Sequence, residues 1–232
     1  MRNKPTEMHS AKGRRGMLKI YGADLSSPSN KVRFTANALR AEYEYIKVSL
    51  MKGENRAEWF LKLHPAGKIP VIVDDDFILF ESNAIIKYLA GKGKSTLYPE
   101  EIKERALIDQ WMDFIALHVN SAVSSVVYNR VFAPWIKTAV DENAVKTGVG
   151  FLGKFLPVVE NQLAKNVHVT GECFTLADIA LLAALDPVEV AEIDIKIYSN
   201  MTKWRDKLKQ KDFYTRCHKD YADALNKMRT LA

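Results

Sequence analysis

Residues 68–83 read Lys-Ile-Pro-Val-Ile-Val-Asp-Asp-Asp-Phe-Ile-Leu-Phe-Glu-Ser-Asn. Lys68 to Val73 is a mostly apolar run of strand length, and Phe77 to Phe80 is a second. Between them Asp74, Asp75 and Asp76 supply the polar turn of a hairpin. Three adjacent acids also suggest a metal, but a solvated turn between two apolar strands requires none. Glu81-Ser82-Asn83 then opens a helix through Leu89, because Ser and Asn favour helix starts.

Working back toward the N-terminus, Tyr43 to Leu50 alternates as a strand, and Arg56 to Leu63 is a short helix stopped by Pro65 and Gly67. Met17 to Tyr21 is a strand ending at Gly22. The polar stretch Asp24-Leu25-Ser26-Ser27-Pro28-Ser29-Asn30 leads into a helix over Lys31 to Ala41, whose stripe is Val32, Phe34, Ala36 and Leu39. The order strand-helix-strand-helix-strand-strand-helix predicts one mostly apolar sheet covered by helices.

Toward the C-terminus the pattern changes. Gly91 to Pro99 is a connector rich in Gly, Lys, Ser and Pro, and helical stretches follow at about 101–130, 140–165, 176–190, 200–210 and 215–228. Thr175-Leu176-Ala177-Asp178 is a capping-box variant that starts a buried helix. The expected division is a sheet-bearing domain at 17–91, a linker at 92–100 and an all-helical domain at 101–232, an α+β domain followed by an all-α one.

Hydrophobic residues make up 47% of the 232 and charged residues 27%, enough apolar surface to exclude disorder as the main state. The longest apolar run, Ile179 to Leu185, is too short to span a membrane. Cys173 and Cys217 cannot make a disulfide framework, so a reducing, cytoplasmic setting is expected. Residues 1–16 hold five basic side chains against Glu7, and so carry +4 of the net +6. They are expected to be a disordered basic tail, or an over-long start with Met17 as the true beginning. The body keeps only +2, which argues against a nucleic-acid partner.

Ser26-Ser27-Pro28-Ser29 at the first helix, Lys68-Ile69-Pro70 before the hairpin, Phe80-Glu81-Ser82-Asn83 after it and the Thr175–Asp178 box together resemble the glutathione transferases. The resemblance covers residues 17 to about 225, and its serine pattern is most similar to the theta, delta and phi classes. It implies an N-terminal thioredoxin-like βαβαββα domain, an all-α domain, glutathione as co-substrate, no metal and a homodimer.

The residue chemistry agrees with that frame. Thioredoxin-type folds place a Cys-x-x-Cys pair at the first helix, where the dipole favours a thiolate. Here neither end of Ser26–Ser29 is a thiol, so the thiol must come from a small molecule. On the residues alone Ser26 reads equally as a helix cap or as a hydrogen-bond donor to a bound thiolate; the resemblance implies the donor. It further implies Glu81 for the ammonium and Ser82 for the carboxylate of the γ-glutamyl end, and a cis Ile69–Pro70 that offers the Ile69 backbone to the cysteinyl unit. Lys68 or Arg56 would take the glycyl carboxylate, whereas His64 reads as a packing residue. Trp111, Phe114, His118 and Tyr128 lie on the helix expected to border the electrophile. The implied function is attack of the glutathione thiolate on electrophilic small molecules or hydroperoxides. A dehalogenase or isomerase of the same fold, or a non-catalytic interaction protein, remains open.

Overall fold

In the computed structural model, which describes residues 16–231, β1 (Leu18–Gly22), α1 (Ser27–Ala38) and β2 (Tyr43–Lys47) form the first unit. β2 lies parallel to β1, with Leu18 opposite Tyr43 and Gly22 opposite Lys47, so α1 is the crossover. A 3-10 turn (Glu54–Arg56), α2 (Glu58–Leu61), β3 (Val71–Asp74), β4 (Phe77–Phe80) and α3 (Ser82–Lys92) follow. β3 runs antiparallel to both β1 and β4, giving the strand order β2-β1-β3-β4. The expected βαβαββα order is present. The expectation for the basic tail lies outside the described residues for 1–15.

Local physics moved several boundaries. α1 begins at Ser27 rather than Lys31, because Ser26 caps it and Pro28 fits the first turn. β3 begins only at Val71, since Pro70 has no N–H for the ladder. Only Asp75 and Asp76 form the turn between β3 and β4, because Asp74 is still paired in the ladder, opposite Phe77, as the last residue of β3. Asp74 is buried and accepts hydrogen bonds from Tyr88 and Lys92 on α3, while Asp75 takes a positive φ of 57°.

The second half is helical. α4 (Ile102–Phe114), a π-helical turn (Ile115–Asn120), α5 (Ser121–Val127), a second π-helical turn (Tyr128–Phe132) and α6 (Ala133–Trp135) run as one continuous rod. α7 (Glu142–Leu163) returns along it. At Gly148 a Cβ would stand 2.8 Å from a methyl of Val126, so glycine is what lets the two helices touch. α8 (Leu176–Ala184) is buried along its whole length. It stops short of the expected residue 190 because Pro187 lacks an N–H and clashes with the preceding turn. At its start the Asp178 carboxylate accepts the Thr175 N–H at 2.9 Å, and also N–H groups from Val169 and Trp204, both at 3.0 Å. α9 (Ser199–Lys209), α10 (Asp212–Thr215) and α11 (Tyr221–Leu231) complete the chain. The single helix expected near 215–228 is split there, with Asp220 accepting the Asp223 N–H at the start of α11.

One hydrophobic core joins the two halves. Phe34 of α1, Ile86 of α3, Met112 of α4 and Leu181 of α8 all belong to it and are fully buried. Burying an apolar side chain of this size contributes roughly 2 kcal/mol, so the cleft between the halves has stiff walls.

Candidate active site

The site is built around the start of α1. A Cβ on Gly22, where β1 ends, would meet the Ser29 hydroxyl at 2.7 Å, so the first turn of α1 lies directly against the strand. The loop between them is pinned from several sides. Asn30 Nδ2 donates to the Asp24 carbonyl (2.8 Å), and Arg33 and Lys47 both pair with the Asp24 carboxylate. Tyr221 Oη donates to the Leu25 carbonyl at 2.6 Å. Ser26 follows as the N-cap, with its Oγ accepting the Ser29 N–H at 3.2 Å. An oxygen that accepts this bond still has its own O–H free to donate.

A cleft of about 310 Å³ opens beside this turn, within the size range of small-molecule sites. Ser27, Pro28 and Lys31 of α1 form one wall; Lys68, Ile69 and Pro70 form a second; Glu81, Ser82 and Asn83 form a third. Behind them lie Met112, Ile115, Ala116 and Asn120 of the long helical rod, with Ala180, Ala183 and Ala184 of α8. The π-helical turn widens the rod where Ile115 to Asn120 meets the cavity.

Of the residues expected at the site, Lys68, Ile69, Pro70, Glu81 and Ser82 line this one cleft. The Ile69–Pro70 peptide bond is cis. Ser26 stands one residue outside the wall, which begins at Ser27. Arg56 is exposed at the end of the 3-10 turn and is not part of the wall; its neighbour Asn55 bonds the Gly67 carbonyl instead. His64 is buried, accepts the Ala66 N–H on Nδ1, packs its ring 4.5 Å from that of Phe80 and also borders the cleft. Trp111, Phe114 and His118 face away from the cleft. They form a ladder of rings with Phe155 of α7, His118 to Phe155 being 4.8 Å.

Glu81 sits between β4 and α3 with φ +67°. Holding a non-glycine residue there costs about 1–3 kcal/mol, a strain found most often at ligand sites. Neither described cysteine lines the cleft. Cys217 is inert besides, because burial pushes its thiol up to about 11.

Sequence reasoning missed Lys31, Asn83 and Asn120. Lys31 was legible, since it lies four residues after Ser27 and therefore on the same helix face. Asn120 and the α8 alanines were not, because only the packing of the rod on α8 brings them to α1. No three His, Cys, Asp or Glu among the described residues converge as a metal site.

A thioredoxin-like sheet whose first helix carries serine where a redox pair would sit, closed by a helical domain across one cleft, defines a class of enzyme that binds an external thiol. Residues 17–91 match the family model "Glutathione S-transferase, N-terminal domain", and residues 114–212 match "Glutathione S-transferase, C-terminal domain". The chain is 36% identical to glutathione S-transferase F10 of Arabidopsis thaliana over 83% of its length and 92% of that relative's. Among solved structures it superposes on glutathione transferase F7 of Populus trichocarpa with a TM-score of 0.80 at 27% identity, covering 90% of this chain and 99% of that one. It shares the fold of a glutathione S-transferase I solved with lactoylglutathione bound, with a TM-score of 0.81 at 24% identity over 87% of this chain and 98% of that one. The chain belongs to the glutathione S-transferase family. It is a glutathione transferase enzyme.

Proposed function

We propose that this transferase holds glutathione along the wall from Lys68 to Asn83 and presents its sulfur to the start of α1, where Ser26 donates to the thiolate. The observation that carries this is the pairing, across one cleft, of a thiol-free helix start with the Glu81–Ser82 junction. Ser82 and the N-terminus of α3 suit the γ-glutamyl carboxylate, and Glu81 suits its ammonium. The Ile69 backbone takes the cysteinyl unit and Lys68 the glycyl carboxylate; Arg56, outside the wall, is not needed for it.

A free thiol titrates near pH 8.5 and is mostly protonated at pH 7. Lowering it by two units takes about 2.7 kcal/mol of preference for the anion, within reach of one charge-assisted bond plus a helix dipole. The thiolate sulfur then forms a bond to an electrophilic carbon while the leaving group departs with its electron pair. Met112, Ile115, Ala116 and the three α8 alanines make an apolar wall with Asn120 as its polar group, which suits a small, largely apolar electrophile.

In this reading residues 17–91 bind glutathione and 101–232 border the electrophile. A cytoplasmic setting fits two free cysteines. A homodimer fits edge strand β4, which exposes Phe77, Ile78 and Phe80.

Calorimetric titration with glutathione tests the site. Binding in the micromolar to millimolar range, weakened roughly tenfold or more in Ser82→Ala, is the expected result. Equal affinity in the variant would remove the carboxylate assignment, and no binding by either protein would remove the glutathione reading.

A further inference from the structure

Lys31 brings a cation to the floor of the cleft, and no residue of the sequence pattern assigns it a task. It rises from the second turn of α1, lines the cleft with Ser27 and Pro28, and donates from Nζ to Asn83 Oδ1. Among the described residues that amide oxygen is its one hydrogen-bond partner, so two of the three ammonium hydrogens remain for a guest. Asn83 is adjacent to Ser82, which places the ammonium at the start of α3, where the dipole already favours an anion.

We infer that Lys31 is a ligand-binding residue that receives the γ-glutamyl carboxylate of glutathione together with Ser82 and the α3 N-terminus. This rests on the glutathione reading above and adds a residue and a pH dependence to it. The charges around Lys31 define that dependence. From the β4–α3 junction the Glu81 carboxylate favours the ammonium; from α3 Lys87, itself paired at 2.8 Å with Asp109 of α4, disfavours it. His64 and Lys68 border the cleft from the segment before β3, and the residues of the rod and of α8 that line it carry no charge. Burial outweighs these influences and lowers the Lys31 ammonium from 10.5 to about 8. The empty cleft thus holds a cation that sheds its proton just above neutral pH, and an arriving carboxylate completes its shell and keeps it charged.

S-methylglutathione is the probe, because its sulfur does not titrate and the carboxylate end is unchanged. The expected result is that wild-type affinity falls about tenfold between pH 7 and pH 9 relative to Lys31→Arg, in which only the ligand's own amine titrates across that window. Lys31→Met is expected to bind about tenfold more weakly than wild type at pH 7, and the two converge near pH 9. Lys31→Met affinity equal to wild type at pH 7, or coincident pH profiles for wild type and Lys31→Arg, would overturn the inference. If Lys31→Met does not fold, judged by circular dichroism, the Lys31→Arg comparison decides alone. Wild-type protein that binds no S-methylglutathione at any pH would overturn the glutathione reading and this inference with it, whereas tight binding indifferent to pH overturns only the part given to Lys31.

Discussion

The Tyr221 hydroxyl donates a 2.6 Å hydrogen bond to the carbonyl of Leu25, 196 residues earlier and one peptide before the Ser26 cap. Further bonds tie α1 to the segment just before Tyr221, one of them from Asn37 Nδ2 to Cys217 Sγ at 3.3 Å. Asn37 Nδ2 donates to the Phe213 carbonyl (3.0 Å), and Arg33 reaches the Cys217 carbonyl (3.5 Å). The end of the chain therefore fixes α1 at its start and along its length. Burial holds the Tyr221 phenol above its usual range, so it remains a donor across the working pH.

Tyr221→Phe keeps the ring and leaves the Leu25 carbonyl unpaired. The expected cost is about 1–3 kcal/mol, or roughly 2–4 °C in melting temperature per kcal/mol for a chain of this size. If the bond also sets the aim of Ser26, turnover falls several-fold with glutathione KM nearly unchanged. A lowered melting point with unchanged turnover would confine Tyr221 to stability.

Ser26 and Ser27 are separable by substitution. Ser26→Ala removes both the cap on Ser29 and the proposed donor, and is expected to lower turnover at least tenfold while raising the apparent pKa of the bound thiol. Ser27→Ala trims the cleft wall and is expected to change turnover less than threefold. Ultraviolet titration of the enzyme-bound thiolate distinguishes them. A raised thiol pKa in Ser27→Ala but not in Ser26→Ala would transfer the donor role to Ser27.

The sheet was legible because its signals are local. Lys68 to Val73 and Phe77 to Phe80 are mostly apolar runs of strand length on either side of a polar turn, so pattern alone set the hairpin. Glu81 and Ser82 followed from helix-start chemistry. What was not legible depends on contacts distant in sequence. The ring ladder of Trp111, Phe114 and His118 lies one helix face away from the cleft, and only the packing of α7 on the rod decides which face turns inward. Tyr221 reads as an ordinary apolar helix position until the fold sets it against Leu25.

Glu160 gives a pH-dependent test of the helical domain. Burial raises its pKa, but hydrogen bonds from the Asn200 and Met201 N–H groups and the Asn200 side chain outweigh that and leave it lowered. A carboxylate lowered in the folded state adds stability that is present above its unfolded pKa and is lost as pH falls through the folded value. Glu160→Gln is therefore expected to melt earlier at pH 7, by an amount on the order of 1 kcal/mol at the α9 N-terminus. The two melting curves should converge as pH falls below 4. A gap as wide at pH 3 as at pH 7 would show that shape, not charge, makes the contact.

Lys31 carries the opposite sign. Its folded value of about 8 lies below the ordinary 10.5, so burying the ammonium costs stability in full below pH 8. That cost fades as pH rises toward 10.5 and is absent above it. The shift corresponds to about 3 kcal/mol, of which losing the Asn83 bond gives back roughly 1 kcal/mol on substitution. Ligand-free Lys31→Met is thus expected to melt several degrees above wild type at pH 7, with the advantage shrinking through pH 8–10. A residue that weakens the empty protein while strengthening the complex is retained for its ligand. A Lys31→Met protein that melts below wild type at pH 7 would make the ammonium a structural contact of α1 and α3 instead.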